Sequence, residues 1–129
     1  MKRKKETRGD EVANTARRRV VTYYLSPRFR RTTPRRRYPS LEEQFTGCRE
    51  IVAMLKADVV GEYVDEEHSG RDRPNLDKAL AQLNADREID YLVVYSDELL
   101  GDKPNDALWV GIDIGMTNTI LLVWKSDAE

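Results

Sequence analysis

Three short apolar segments, separated by two amphipathic ones, constrain the fold of this chain more than any other feature. VVTYYL (residues 20–25), DVVGEYV (residues 58–64) and IDYLVVY (residues 89–95) are rich in β-branched and aromatic residues, as buried strands are. Between them, residues 40–55 and 75–86 carry apolar side chains at three- and four-residue spacing, which predicts helices. The alternation of strand and helix predicts a three-layer α/β domain with a mostly parallel sheet.

Local signals mark where the two predicted helices begin. Ser40 and Glu43 have the spacing of a capping box, and Asn75 is the expected cap of the second helix. Cys48 falls on the apolar stripe of the first helix, so we interpret it as a core residue.

The last part of the chain shows a different pattern. Apolar residues alternate strictly over residues 108–116, a turn-like segment follows, and residues 120–124 are again apolar. A period of two residues is typical of strands, so we expect a C-terminal β-hairpin here. We interpret the two tryptophans of this region, Trp109 and Trp124, as core or interface anchors.

The charges of the chain are divided between its two ends, although the net charge is only −1. Residues 1–37 hold 14 Lys and Arg against 3 Asp and Glu, and residues 38–129 hold 8 against 20. A basic segment can neutralise phosphates and release their counterions, which makes a polyanion, and nucleic acid in particular, the expected partner. The alternative is a solvated segment that folds back on the acidic body. The arginines expected to contact a nucleic-acid backbone, which would be that of DNA if the resemblance described below holds, are Arg17, Arg18, Arg19, Arg30, Arg31, Arg35, Arg36 and Arg37.

The remaining features narrow the class of protein. Residues 1–17 lack hydrophobic periodicity and are expected to form a disordered basic arm, leaving one domain over residues 18–129. No apolar run approaches the roughly 20 residues that cross a bilayer, and no apolar segment of a secretory signal follows the charged start. We therefore expect a cytoplasmic protein without a membrane partner. A single histidine, His68, far from the single cysteine makes a zinc site unexpected, and no cofactor is predicted.

The middle of the chain resembles the catalytic domain of the serine recombinases: the resolvases, invertases and large serine integrases. GEYVDEEHSGRDRPNLDKALAQL (residues 61–83) is similar to that family's second strand, SG turn, RP pair and following helix, and SLEEQ (residues 40–44) resembles the start of its first helix. The resemblance covers about residues 19–102. It implies a flavodoxin-like fold, a role in site-specific DNA recombination, and assembly as a dimer or tetramer.

In that family a serine attacks a DNA phosphate while arginines hold the phosphate oxygens, since an alcohol needs positive charge nearby to act as a nucleophile. Arg73, in the RP pair, matches one of these arginines. The family's Tyr-x-Arg-x-Ser motif falls on YLSPR (residues 24–28), where Ser26 stands at the arginine place and Arg28 at the serine place.

A second motif of the family, Asp-Arg-x-x-Arg, falls on Glu98, Leu99 and Asp102, so that both of its arginines are absent. The resemblance therefore implies strand cleavage that is impaired or lost. Arg30 or Arg31 could replace the missing guanidinium groups from the preceding loop, which leaves cleavage open.

Two hypotheses follow. In the first, the chain is a recombining enzyme with Ser26 as nucleophile and Arg28 and Arg73 as phosphate ligands. In the second, it is a non-catalytic module that binds the DNA backbone or joins an active recombinase in a mixed assembly. The supporting residues of the first hypothesis are Gln44, Ser69 and Glu98.

Two further expectations follow from the sequence. The family's carboxyl-terminal DNA-binding domain is not expected in this chain. The acidic run over residues 65–67 is interpreted as a solvated rim.

Overall fold

The computed structural model describes residues 17–27, 39–67, 73–101 and 104–124, with the side chains of residues 104–108 outside that description. The elements in chain order are β1 (Arg19–Ser26), α1 (Leu41–Leu55), β2 (Asp58–Glu66), α2 (Pro74–Ala85), β3 (Tyr91–Val94), a short 3₁₀ helix (Asp97–Leu100), α3 (Pro104–Gly115) and β4 (Ile120–Val123). The strands and helices expected from the sequence up to residue 95 are confirmed, with shifts of at most two residues at their ends. The expected disordered arm lies almost wholly outside the described residues.

Over the described residues the sheet has the strand order β2-β1-β3-β4, and each neighbouring pair is parallel. The predicted α/β class with a parallel sheet is therefore confirmed. All strands end at the same edge of a parallel sheet, which we call the carboxyl edge. It holds the residues that follow β1, β2, β3 and β4.

β1 is central and buried on both faces, which explains its continuous apolar sequence. Val21 and Tyr23 face α2 and α3, where they pack with Leu83 and other apolar residues. Val20 and Tyr24 face α1 and pack with Cys48 and its neighbours. Cys48 is fully buried, as its place on the apolar stripe predicts, and this burial raises the pKa of its thiol to about 12.

The start of α1 is fixed by the predicted capping box. The Ser40 hydroxyl accepts from the Glu43 amide at 3.1 Å, and the Glu43 carboxylate accepts from the Ser40 amide at 2.9 Å. The helix ends at Lys56, whose φ of 52° lies in the left-handed region that terminates helices. Both ends are thus set by residues inside or next to the helix.

The expected C-terminal β-hairpin is wrong. Residues 104–115 form a helix, and β4 runs parallel to β3, with Tyr91 opposite Ile120 and Val94 opposite Val123. Because β4 is parallel to β3, both strands start at the same edge of the sheet. After β3 the chain therefore has to return across one face of the sheet before β4 can begin. α3 makes that crossing and buries Ile114 against the sheet.

No helix in the described segments is long and apolar enough to cross a membrane.

Candidate functional site

The end of β1 carries Ser26, the predicted nucleophile. Ser26 is the last residue of the strand, lies opposite Glu66 of β2, and accepts a backbone hydrogen bond from Glu67 at 2.9 Å. Its side chain is half-buried. Because side chains alternate along a strand, Ser26 belongs to the same face as Tyr24, which is the face covered by α1.

The end of β1 is held by Gln44, a fully buried residue of α1. Its side-chain oxygen accepts from the Leu25 amide at 2.9 Å, and its nitrogen donates to the Leu25 carbonyl at 2.7 Å. The same nitrogen donates to the Pro39 carbonyl at 3.1 Å. The amide therefore takes the place of a neighbouring strand at Leu25, and it also ties β1 to the backbone just before α1.

Arg73, the predicted phosphate ligand, is the residue before the first turn of α2. Its guanidinium donates to the Leu99 carbonyl at 3.0 Å and lies beside the Tyr23 phenol. Tyr23 belongs to the α2 side of the sheet, so Arg73 reaches the carboxyl edge from the face opposite to that of Ser26.

A buried carboxylate supports Arg73 and the start of α2. Asp65 is 4% exposed; it accepts from the Tyr23 hydroxyl at 2.9 Å and from the amides of Asn75 and Leu76 at 3.0 and 2.9 Å. The expectation of a solvated rim is therefore wrong for Asp65, because the helix amides and the phenol replace its water. Burial raises the pKa of Tyr23 well above its ordinary value; Arg73 opposes this rise and Asp65 adds to it.

The predicted cap of α2 is also wrong. The residue at the cap position is Arg73, which makes no side-chain cap, and the Asn75 side chain instead donates to the Val64 carbonyl at 2.7 Å. Asp65 supplies the cap from the neighbouring strand, ten residues earlier. The site predicted from the sequence does not include Asp65. The available signal was an acidic residue directly after the second predicted strand, where side chains lie at the carboxyl edge of a parallel sheet.

The segment after β3 completes the site, together with the end of β1 and the start of α2. Asp97–Leu100 is a short 3₁₀ helix, which begins with the Ser96 hydroxyl accepting from the Glu98 amide at 3.4 Å. Glu98 is exposed, whereas Leu99 is 0% exposed and packs on Leu25. The Leu99 side chain, which the resemblance of the sequence would place at the family's first arginine of this motif, therefore points into the core.

The structure brings Ser26, Gln44, Arg73 and Glu98 to the carboxyl edge. Arg28 and Ser69 lie outside the described residues, as do Asp102, His68 and these five of the arginines expected to bind DNA: Arg30, Arg31, Arg35, Arg36 and Arg37.

Arg17, Arg18 and Arg19 lie at the opposite, amino edge of the sheet. Arg17 forms an ion pair with Asp58 at 3.0 Å, and Arg19 forms one with Asp86 at 2.9 Å. The Arg18 guanidinium lies 5.8 Å from the centre of the Tyr91 ring. These three arginines are thus separated from Ser26 by the length of β1, about 26 Å for eight residues.

Among residues 17–27, 39–67, 73–101 and 104–124, no group of three or more His, Cys, Asp or Glu side chains is placed to hold a metal ion.

Comparison with known proteins identifies relatives of this arrangement. The model of the family described as Resolvase, N terminal domain, matches residues 28–113, about two thirds of the chain. The match begins two residues after Ser26, so it leaves β1 outside. No curated protein matches the chain.

Two solved structures share the fold. The C-terminal catalytic domain of ISC1926 TnpA, an IS607-like serine recombinase, aligns with a TM-score of 0.65 at 14% identity, covering 85% of this chain and 72% of that one. The N-terminal catalytic domain of TP901-1 integrase aligns with a TM-score of 0.65 at 17% identity, covering 83% of this chain and 77% of that one.

Proposed function

Because the chain belongs to the family of resolvase N-terminal domains, we propose that it acts in site-specific DNA recombination and that its own strand cleavage is impaired or lost. The family membership supports the recombination role. The similarity of fold to catalytic domains of a serine recombinase and an integrase is consistent with it.

The burial of Leu99 carries the second half of the proposal. A group that holds a phosphate oxygen must reach the cleft with a hydrogen-bond donor, and Leu99 has none and packs inward on Leu25. One well-placed donor contributes about 3 kcal/mol to a transition state. The absence of two such groups, at Leu99 and Asp102, costs about 6 kcal/mol, or roughly 10⁴-fold in rate.

The placement of Ser26 adds to this argument. The family's order of arginine and serine is exchanged in residues 24–28, and Ser26 ends β1 on the α1 side while Arg73 approaches from the α2 side. The nucleophile and its remaining phosphate ligand therefore come from different faces of the sheet, which disfavours a shared phosphate.

A search for a covalent adduct tests the loss of cleavage. Full-length protein is incubated with supercoiled plasmid and with a pool of random-sequence duplexes, then denatured and probed for DNA linked to protein. We expect no adduct from the wild type. An adduct that persists through denaturation and disappears in Ser26→Ala would refute the proposal.

A second variant guards against a false negative caused by the unknown DNA site. The double substitution Ser26→Arg with Arg28→Ser restores the family's order at residues 24–28. An adduct from this variant alone shows that the substrates and conditions permit cleavage, and that the exchanged order is one cause of its loss.

DNA binding is the part of the proposal that does not depend on cleavage. Arg17 and Arg19 already pair with carboxylates at the amino edge, so we propose that Arg30, Arg31 and Arg35 to Arg37 supply most of the phosphate contacts. Replacing Arg35, Arg36 and Arg37 by Gln should lower the slope of log K against log salt by about 0.9 per lost contact, and Arg17→Gln should change it less. Equal slopes for all variants would contradict this assignment.

One observation favours the alternative of a partner module in a homo-oligomer or mixed assembly. Trp109 and Ile112 of α3 and Met116, directly after its end, are exposed at spacings of three and four residues, with Trp109 at 64% and Met116 at 72%. Such a stripe on a helix is typical of a surface covered by another protein. Sedimentation of the wild type against Trp109→Ser with Met116→Ser distinguishes this role, since only an assembly through α3 would be disrupted.

A further inference from the structure

A cavity of about 390 Å³ lies at the carboxyl edge, between α1 and the residues that directly follow β3 and β4. Ser26, Gln44, Arg73 and Glu98 do not line it, although Ser40 at the start of α1 does. One wall consists of the aromatic rings of Tyr95 and Trp124, whose centres are 6.0 Å apart with a tilt of 31° between their planes. The other wall is α1, which contributes Glu42 and Glu50.

The aromatic wall depends on Gly47. The indole of Trp124 lies directly against the α-carbon side of Gly47, and a β-carbon there would overlap the indole ring. Trp124 remains 43% exposed, so its ring forms part of the cavity surface rather than filling it. Because Gly47 has no side chain, the Trp124 ring can lie against α1 while one part of its surface stays open to a ligand.

The carboxylates give the cavity its charge. Glu43 is engaged in the capping box, but Glu42 and Glu50 are exposed, and within the described segments neither forms an ion pair. Aromatic faces attract cations through their quadrupole, and arginine stacks on them while its donors bind carboxylates. The same carboxylates repel phosphate, which excludes DNA from this surface.

We propose that this cavity binds an arginine side chain carried on a basic peptide segment of a partner protein. The guanidinium stacks on Trp124 and Tyr95 and donates to the carboxylates of Glu42 and Glu50. The exposed carboxylates of Glu42 and Glu50 beside the aromatic wall are complementary in charge to such a segment. The inference is independent of DNA cleavage and of the proposed role in recombination.

Binding of a defined peptide tests the proposal. The probe is a fluorescein-labelled peptide, GRRGSGRRG, which presents arginines without the sequence of this chain. It is titrated with the full-length protein at about 0.1 M salt and followed by anisotropy. We expect Glu42→Gln with Glu50→Gln to weaken binding about tenfold, since two charge contacts of the exposed type are lost. The matched control, Glu62→Gln with Glu88→Gln, removes two exposed carboxylates elsewhere and should leave binding within about twofold.

The aromatic contribution is tested with the two tryptophans. Trp124→Leu should weaken the peptide, whereas Trp109→Leu, which removes an exposed tryptophan from α3, should not. A peptide with lysine at every arginine should bind more weakly to the wild type. No binding, equal loss from both pairs of glutamates, or equal binding of the lysine peptide would each overturn the proposal, and circular dichroism verifies that each variant is folded.

Discussion

The side chain of Gln44 holds the end of the central strand, and replacing it with leucine should reveal how strongly. Gln44→Leu keeps the approximate volume of this buried residue but removes the three hydrogen bonds that its amide makes to the backbone at Leu25 and Pro39. The backbone groups of Leu25 point away from β2 and have no replacement partner within the core. The perturbation is therefore confined to hydrogen bonding at the carboxyl edge.

The size of the effect follows from the burial of each group. A buried amide left without an acceptor costs about 1–3 kcal/mol, and a buried carbonyl is at the low end of that range. The Pro39 carbonyl lies on a half-buried residue, where water replaces the amide at little cost. Adding these contributions, we expect the free energy of unfolding to fall by about 3 kcal/mol. Since a domain is stable by only about 5–15 kcal/mol, this is a large fraction.

Urea unfolding followed by circular dichroism measures this loss. With a slope of about 2 kcal/mol per molar urea, the midpoint should fall by about 1.5 M without a change of slope. The matched control is Gln82→Leu, because Gln82 also bonds a side chain and a backbone carbonyl, to Tyr63 at 2.6 Å and Val60 at 3.1 Å, but is only half-buried. We expect the control to lose about 1 kcal/mol. Equal losses, or less than about 1 kcal/mol for Gln44→Leu, would refute the reasoning.

The substitution Gln44→Glu adds a pH dependence with a defined sign. A carboxylate at this position faces the carbonyl oxygens of Leu25 and Pro39, so burial and repulsion raise its pKa in the folded state above about 4.3. A raised folded pKa means that the folded state binds the proton more tightly. Relative to wild type, the variant should therefore be most stable below about pH 4 and lose stability as the pH rises through the folded pKa. A stability difference from wild type that does not vary between pH 4 and 7 would contradict the packing described.

Three further predictions concern the core and the site. Gly47→Ala should cost about 1–3 kcal/mol by displacing Trp124, and combining it with Trp124→Leu should cost less than the sum of the two single losses in urea unfolding. Cys48 should resist iodoacetamide at pH 8 in the folded protein, because burial raises the pKa of its thiol to about 12; rapid labelling without denaturant would contradict this. Asp65→Asn should lower the free energy of unfolding by about 2 kcal/mol, because it weakens the bonds that Asp65 accepts from Tyr23 and from the first amides of α2. Hydrogen exchange at those amides should become faster. Unchanged exchange would show that the start of α2 does not depend on Asp65.

The sequence predicted those features that depend on residues close together in the chain. Ser40 and Glu43 are three residues apart, so their capping box is formed within one helical turn and is visible as a pattern. The continuous apolar sequence of β1 likewise follows from its burial on both faces. The layered α/β class then follows from alternating strands and helices.

The features that the sequence did not predict depend on contacts between distant residues. The backbone amides of Asn75 and Leu76, at the start of α2, donate to Asp65 of β2. This contact overrides the local preference of asparagine for a cap position, and the Asn75 side chain bonds elsewhere. The apolar alternation before β4 contains pairs four residues apart, and such pairs also suit one face of a helix. Val110 and Ile114 form such a pair, and α3 packs both against the core while Ile112 is exposed.

The position of β1 in the middle of the sheet determines the order in which the sheet can be assembled during synthesis. β1 is made first, β2 pairs with one side of it, β3 with the other, and β4 then adds to β3. Each strand thus finds its hydrogen-bonding partner already synthesised when it emerges from the ribosome. A parallel sheet is dominated by contacts distant in sequence and is expected to fold slowly from the complete chain. Growth outward from β1 shortens the search at each step, so vectorial folding on the ribosome should be faster and less prone to aggregation than refolding from denaturant.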